Sequence, residues 1–182
     1  EYFDETSRYV FFSDCHRGIG GHQDEFTRNR NIYMYALDYY YKEGFTLVEA
    51  GDGDELWEHP KFQVIKNAHL HVFECMRRFY HDNRLILIYG NHNNYLRHPK
   101  YFEENFATFY DEYTQTCTDF LKGLESCEAL VLKHKRNGQE ILTVHGQQGD
   151  FANDQFWFFT MFSLKYFWRH LHAFGIPFRC LA

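Results

Sequence analysis

Four short polar stretches of this chain hold residue types that bind metal ions. They are Asp14-Cys15-His16, the run Gly51 to Glu55, Gly90-Asn91-His92, and His145-Gly146. Carboxylate, imidazole and amide groups suit divalent cations such as Mn, Fe, Zn or Mg. A carboxylate such as Asp52 can also bridge two cations about 3.5 to 4 Å apart, the separation found in two-metal hydrolytic sites. The four stretches together predict a metal centre.

Each polar stretch follows an apolar run that predicts a β-strand. These strands are predicted over residues 9–13, 45–50, 84–89 and 140–144. Asn137-Gly138 predicts a hairpin that joins the last of them to residues 129–135, because both turn positions tolerate a positive φ. In an open α/β sheet, ligands bind beyond the carboxyl ends of the strands. We therefore expect the four stretches to meet in space although they are far apart in sequence.

Helices are predicted between and after these strands, over residues 24–43, 60–81, 101–122 and 153–174. The alternation of strand and helix in the first hundred residues predicts parallel β-α-β units with both sheet faces covered. A length of 182 residues suits one domain with a sizeable core. The prediction is therefore a single α/β domain over residues 1–182.

Charge and cysteine content narrow the classes of function. The formal net charge of −6 argues against a broad nucleic-acid-binding surface, so nucleic acid is not the expected partner. The five cysteines are scattered and form no CxxC pair, which fits free thiols in a reducing compartment. The sequence shows neither a signal peptide at its start nor an apolar run of about 18 to 20 residues. We expect a cytoplasmic protein.

Taken in order, the polar stretches resemble the motifs of calcineurin-like metallophosphoesterases. That family's pattern is Asp-x-His, Gly-Asp, Gly-Asn-His-Asp/Glu, His and Gly-His-x-His, and the resemblance covers residues 9–174. "SDCHRG", "GDGDELWE" and "HGQQGD" are most similar to the branch with UDP-2,3-diacylglucosamine diphosphatases. The resemblance implies a β-sandwich core flanked by helices. It also implies metal-dependent hydrolysis of a phosphoester or pyrophosphate bond, with a lipid-linked nucleotide as one substrate.

The resemblance also assigns roles to individual residues. Asp14 and His16 would bind a first cation, and Asn91 and His145 would bind a second. Asp52 would bridge the two cations. His92 would face the substrate, where it would protonate the leaving oxygen or stabilise the phosphoryl charge. The two divalent ions, with manganese favoured, would supply the nucleophilic hydroxide and neutralise charge.

Further polar residues in or near these motifs have possible roles in substrate binding or in the structure. Arg17 could reach a substrate phosphate as a bidentate donor, or it could be an ordinary surface arginine. Arg97 is a second candidate for substrate binding. Cys15 is expected to pack inward rather than act as a nucleophile. His69 and His71 lie two apart on a predicted helix and are expected to be structural or exposed.

The sequence departs from the family pattern in two places. Asn93 stands where the family has an acid that would orient His92, and no Gly-His-x-His occurs before Ala182. We therefore expect a domain that lacks its C-terminal strands, in which each cation would lack one histidine. Two alternatives follow: a non-catalytic phosphoesterase-like binding scaffold, and a nuclease of the same superfamily.

An aromatic stretch, "FWFFTMFSLKYFW", occupies residues 156–168. On a helix these side chains would cover nearly every face, more than one buried stripe requires. One interpretation is a packing helix. The other is a lid or a peripheral membrane contact over residues 156–170, with Lys165, Arg169 and His170 near phosphate head groups. The expected partner is a phosphorylated small molecule or a lipid-linked substrate, and the second interpretation would suit the latter.

Overall fold

The computed structural model of the protein describes residues 1–111, 114–147 and 162. In these residues the chain is mixed α/β. The helices are α1 (Phe26–Lys42), α2 (Phe62–Ala68), α3 (Leu70–His81) and α4 (Pro99–Phe106). The strands are β1 (Tyr2–Phe3), β2 (Tyr9–Phe12), β3 (Thr46–Ala50), β4 (Leu85–Ile88), β5 (Thr108–Asp111), β6 (Thr116–Asp119), β7 (Ser126–Cys127), β8 (Ala129–His134) and β9 (Glu140–Val144).

The central sheet has the strand order β2-β3-β4-β7, and all its neighbouring strands are parallel. Val48 of β3 pairs with Phe11 on one side and with Ile86 on the other. Helix α1 connects β2 to β3, while α2 and α3 connect β3 to β4. The predicted parallel β-α-β units are therefore confirmed, and the ends of β2, β3 and β4 lie at one edge of the sheet.

The two faces of the central sheet bury different cores. Leu47, Leu85 and Leu87 join the larger core with the helices, where α3 contributes Val72, Phe73, Met76 and Phe79 from one face. The alternate residues Val48 and Ile88 pack instead against Leu130 and Leu132 of β8. Because strand side chains alternate between faces, β3 and β4 can serve both cores. The central sheet thus lies between a helical layer and a second sheet.

The second sheet has the order β1-β8-β9. Strands β8 and β9 pair antiparallel and are joined by a loop over residues 135–139, in which Gly138 has a positive φ of 71° and Asn137 does not. The hairpin prediction is confirmed.

None of the helices in the described part of the chain is long and apolar enough to span a bilayer.

Two of the predicted helices are wrong in extent. The helix predicted over 60–81 is interrupted at His69, whose φ of −121° lies outside the helical range while its imidazole forms a buried hydrogen bond with Asp24. The helix predicted over 101–122 ends at Phe106, and β5 and β6 follow as an antiparallel pair. Threonine recurs in β5 and β6 and favours strands. Of the helix predicted over 153–174, only Phe162 is among the described residues.

Candidate metal centre

The polar stretches meet at Asp52, as the strand order predicts. Its carboxylate lies 3.1 Å from His145 Nε2 and 3.9 Å from His16 Nε2, and it accepts a hydrogen bond of 2.9 Å from the backbone N–H of His92. Asp52 is 3% exposed. We call Asp14, His16, Asp52, His92 and His145 the candidate metal centre.

The ligating atoms of the candidate metal centre form two groups of three. One contains His16, Asp52 and His92, and the other contains Asp14, Asp52 and His145; within each group the atoms lie within 4.8 Å of one another. Asp52 belongs to both groups, as a bridging carboxylate must. The grouping differs from the predicted one, which placed Asp14 with His16. Even so, Asp14 Oδ1 lies only 3.9 Å from His16 Nε2.

Three of these residues have an unusual backbone conformation. Asp14, His16 and Asp52 have φ values of 53°, 45° and 50°, in the left-handed region that costs a non-glycine residue on the order of 1 to 3 kcal/mol. Backbone hydrogen bonds connect their loops: Asp14 N–H donates to Gly51 O at 3.1 Å, and His16 N–H donates to Asp52 O at 2.9 Å. Backbone strain is therefore concentrated at three predicted metal ligands.

Two glycines allow the loops to approach this closely. A Cβ at Gly90 would collide with the Asp52 carboxylate, and a Cβ at Gly51 would collide with the His145 ring. Gly51 also has a φ of 94°, which favours glycine. The sequence places glycine where Asp52 and His145 need the space.

Glu55 joins two of the site histidines. Its Oε2 lies 3.0 Å from His16 Nδ1 and 2.7 Å from His92 Nδ1, so each Nδ1–H can donate to it and leave Nε2 free for a cation. Burial opposes ionisation of Glu55, but the hydrogen bonds from His16 and His92 lower its pKa to about 2. Trp57 stacks on the His92 ring, with centroids 4.2 Å apart. Sequence reasoning gave Glu55 no role, although it lies in the predicted ligand run.

His145 is held from two sides. Its Nδ1 donates to the carbonyl oxygen of Ala50 at 3.0 Å, which leaves Nε2 directed at Asp52. The hydrogen bond with Asp52 is the main cause that raises the pKa of His145. Burial works against ionisation of Asp52, and the contact with His145 lowers its pKa. The pair is therefore ordered before any cation binds.

The donor set fits divalent cations in charge and in chemistry. Within the described residues, neither lysine nor arginine forms an ion pair with Asp14, Asp52 or Glu55, and histidines are their ion-pair partners. Imidazole with carboxylate is a donor set for Mn, Fe or Zn. These carboxylates carry negative charge that bound cations would balance.

The structure corrects the prediction for Arg17. Its side chain is 0% exposed, Nη1 and Nη2 donate to Glu49 at 2.6 and 2.9 Å, and Nε donates to Asp54 at 2.8 Å. A guanidinium buried and paired in this way does not reach a substrate phosphate. Arg17 is neither a substrate contact nor a surface arginine.

Three other residues have roles predicted from the sequence, and the structure places them as follows: Asn91, Arg97 and Cys15. Asn91 is half-buried beside His92 in the loop after β4. Arg97 is exposed at the end of a short 3-10 helix, and its Nε donates to His98; its contact with substrate stays a prediction. Cys15 packs against the larger core, as expected, and burial raises the pKa of its thiol to about 12.

A cavity of about 390 Å³ opens beside Asp14 and His16. Its further lining is mostly apolar and comes from the end of β2 and from one side of α1, including Phe12, Phe26, Ile32, Tyr33 and Ala36. A molecule bound at the candidate metal centre could extend into this space.

Comparison with models of known protein families gives no match, and comparisons with curated proteins and with solved structures give none either. The chemistry of the site is therefore inferred from its donor set and geometry.

Proposed function

We propose that this protein is a metal-dependent phosphoesterase of the calcineurin-like type that hydrolyses a phosphoester or pyrophosphate bond. The observation that supports it most is the place of Asp52 in two groups of metal-binding side chains. The two sheets packed through Val48 and Leu130 agree with the β-sandwich core proposed for this type. When bound, two divalent cations would neutralise phosphoryl charge and lower the pKa of a water.

The chain's own residues would hold the cations and orient the substrate. Asp52 would bridge, with His16 on one side and Asp14 and His145 on the other, as the two groups of ligating atoms are arranged. Binding of a cation by Asn91 stays a prediction. His92 is fixed by Glu55 at Nδ1 and by Trp57 across its face, so its Nε2 has one direction. From there, in the protonated form of the imidazole, Nε2–H would donate to a phosphoryl or leaving-group oxygen.

The cavity beside Asp14 suggests which substrates fit. Its apolar lining favours a phosphoester or pyrophosphate with an alkyl or aryl substituent, of which a lipid-linked nucleotide is one. Ala36→Trp would narrow the cavity. We expect it to raise KM about ten-fold for a long-chain alkyl ester, which corresponds to about 1.4 kcal/mol of binding, and to spare a substrate without the chain.

The proposed function is tested by hydrolysis of bis(p-nitrophenyl) phosphate with added Mn²⁺. Because Asp52 would contact both cations, Asp52→Ala should reduce kcat/KM by about 10³-fold or more, the loss of several kcal/mol of transition-state stabilisation. Asp24→Asn is a matched control, since Asp24 is a buried carboxylate paired with a histidine outside the candidate metal centre. We expect it to retain activity.

Two results would contradict the proposal. Turnover by Asp52→Ala at the wild-type rate would show that hydrolysis, if any, occurs elsewhere. Stoichiometric Mn²⁺ binding without turnover of any phosphoester would favour the non-catalytic scaffold.

A further inference from the structure

Directly behind the candidate metal centre lies a second charged group, the Arg17 cluster, made of Arg17, Glu49 and Asp54. Arg17, Glu49 and Asp54 are 0%, 4% and 1% exposed. Glu49 accepts hydrogen bonds from both terminal nitrogens of the guanidinium, and Asp54 accepts one from Nε. The planar guanidinium thus binds two carboxylates along two of its edges. The Phe73 ring lies 4.9 Å from Arg17 Cζ.

The cluster connects the two loops that contain most of the candidate ligands. Arg17 follows His16, Asp54 lies two residues after Asp52, and Glu49 lies in β3. The backbone continues the connection: Arg17 N–H donates to Gly53 O at 2.9 Å, and Glu55 N–H donates to Arg17 O at 3.0 Å. Any movement of one loop relative to the other would break these bonds together.

The energetics favour a positioning role over a purely stabilising one. A buried ion pair is often no more stable than apolar residues of the same volume, so stability alone does not account for one cation and two carboxylates in the interior. The adjacent loops also contain three left-handed non-glycine residues, each costing on the order of 1 to 3 kcal/mol. Such conformations persist only where the surroundings fix them.

We propose that Arg17, through Glu49 and Asp54, is a positioning residue that holds the Asp14–His16 loop against the Asp52 loop, so that the candidate ligands are ordered before cations bind. This inference rests on the proposed function for its effect on metal affinity. Its effect on the metal-free loops is independent of that function.

The test compares Arg17→Lys with Arg78→Lys. Lysine keeps the charge but cannot bond two carboxylates as a planar fork. Arg78 is the arginine control, more exposed than Arg17, because it pairs with Asp38 at 3.0 Å and lies over the Tyr41 ring, on helices away from the candidate metal centre. Loss of a residue that bonds a metal ligand directly typically reduces metal affinity 10- to 100-fold. Because Arg17 acts on the ligands through their loops, we expect its effect at the lower end of that range.

Three readouts are measured on the full chain. By calorimetric titration, Arg17→Lys should bind Mn²⁺ at least ten-fold more weakly, while Arg78→Lys stays within two-fold of wild type. Saturating Mn²⁺ should restore most of kcat in Arg17→Lys, as expected for a residue that acts through ligand position. In metal-free protein, the amides of His16 and Arg17 should exchange with solvent at least ten-fold faster in Arg17→Lys than in Arg78→Lys.

The readouts separate the two proposals. If wild type binds no Mn²⁺, the proposed function fails, and amide exchange still decides the role of Arg17. If Arg17→Lys does not fold, Glu49→Gln replaces it with the same expectations. A folded variant whose Mn²⁺ affinity and amide exchange both lie within two-fold of wild type overturns the inference.

Discussion

Histidine is paired with carboxylate in two regions of this molecule, and the surroundings of the two differ. At the candidate metal centre, His16, His92 and His145 share Asp52 and Glu55, and the Asp14 side chain beside them is 58% exposed. In the core, His69 Nε2 lies 2.7 Å from Asp24 Oδ2, and both side chains are at most 1% exposed.

The difference shows that a histidine–carboxylate pair is not by itself a site. His69 and Asp24 form a one-to-one pair, and Asp24 Oδ2 also accepts the backbone N–H of Gly20, so the carboxylate orders a loop. At the candidate metal centre several carboxylates converge from different strand ends, and a cavity opens beside Asp14. Convergence and access, rather than the pair, favour a ligand.

The largest expected effect comes from removing one histidine from each region. His145→Asn should lose one bound cation and about 10³-fold in kcat/KM, since a cation supplies several kcal/mol of transition-state stabilisation. His69→Asn should keep both cations and turn over at a rate close to wild type. Metal analysis and phosphodiester hydrolysis measure the contrast. Equal losses in the two variants would remove the distinction between the regions.

A smaller effect is expected from the carboxylate that orients His16 and His92. Glu55→Gln keeps the size of the side chain but weakens its acceptance of two Nδ1–H bonds, and we expect a 10- to 100-fold loss of activity or metal affinity. Asp24→Asn changes a carboxylate to an amide in the same way and should leave both quantities unchanged. Steady-state kinetics over a Mn²⁺ titration distinguishes them, and an unaffected Glu55→Gln would show that orientation by Glu55 is unimportant.

The free energy of unfolding should change in Asp24→Asn even though its activity does not. Asp24→Asn weakens a buried charge-assisted hydrogen bond, which is worth about 1.5 to 3 kcal/mol. Urea denaturation of metal-free protein should therefore show a lower free energy of unfolding for Asp24→Asn. An unchanged midpoint would mean that the His69 pair contributes nothing to the fold.

The smallest effect is a dependence on pH. Burial opposes ionisation of Asp24, but the hydrogen bond with His69 lowers its pKa below the ordinary 3.8. A lowered pKa means that the ionised form stabilises the fold above the unfolded pKa, and that this stabilisation is lost as pH falls through the folded pKa. The stability difference between wild type and Asp24→Asn should thus shrink as the pH falls below 3.8, the ordinary value for this carboxyl. A constant difference would contradict it.

The sequence was informative where pattern and chemistry coincide. Apolar runs of strand length, each followed by glycine and metal-binding residues, predicted β2, β3 and β4 and the meeting of His16 with Asp52. The same patterns could not predict the partners of Arg17. Glu49 lies inside a buried strand, which indicates that a positively charged side chain lies nearby. The sequence does not show that this side chain is Arg17.

The errors in helix extent have a similar origin. His69 fits the helical period of its segment, yet its backbone leaves the helix where its side chain bonds Asp24 across 45 residues of sequence. Residues 108–119 contain aromatic residues compatible with either element, and pairing between β5 and β6 determines the outcome. A contact between distant residues decided the first case, and a single sequence does not show it. The second case is a local pairing, and the threonines of β5 and β6 are a strand signal within the sequence.

The most direct test is a crystal of the protein soaked in Mn²⁺ and measured at the manganese absorption edge. We expect two anomalous peaks about 3.5 to 4 Å apart, one on each side of the Asp52 carboxylate, with His16 and His145 on different ions. Mn²⁺ bound only away from Asp52, or no Mn²⁺ at concentrations that support hydrolysis, would contradict the proposed metal centre.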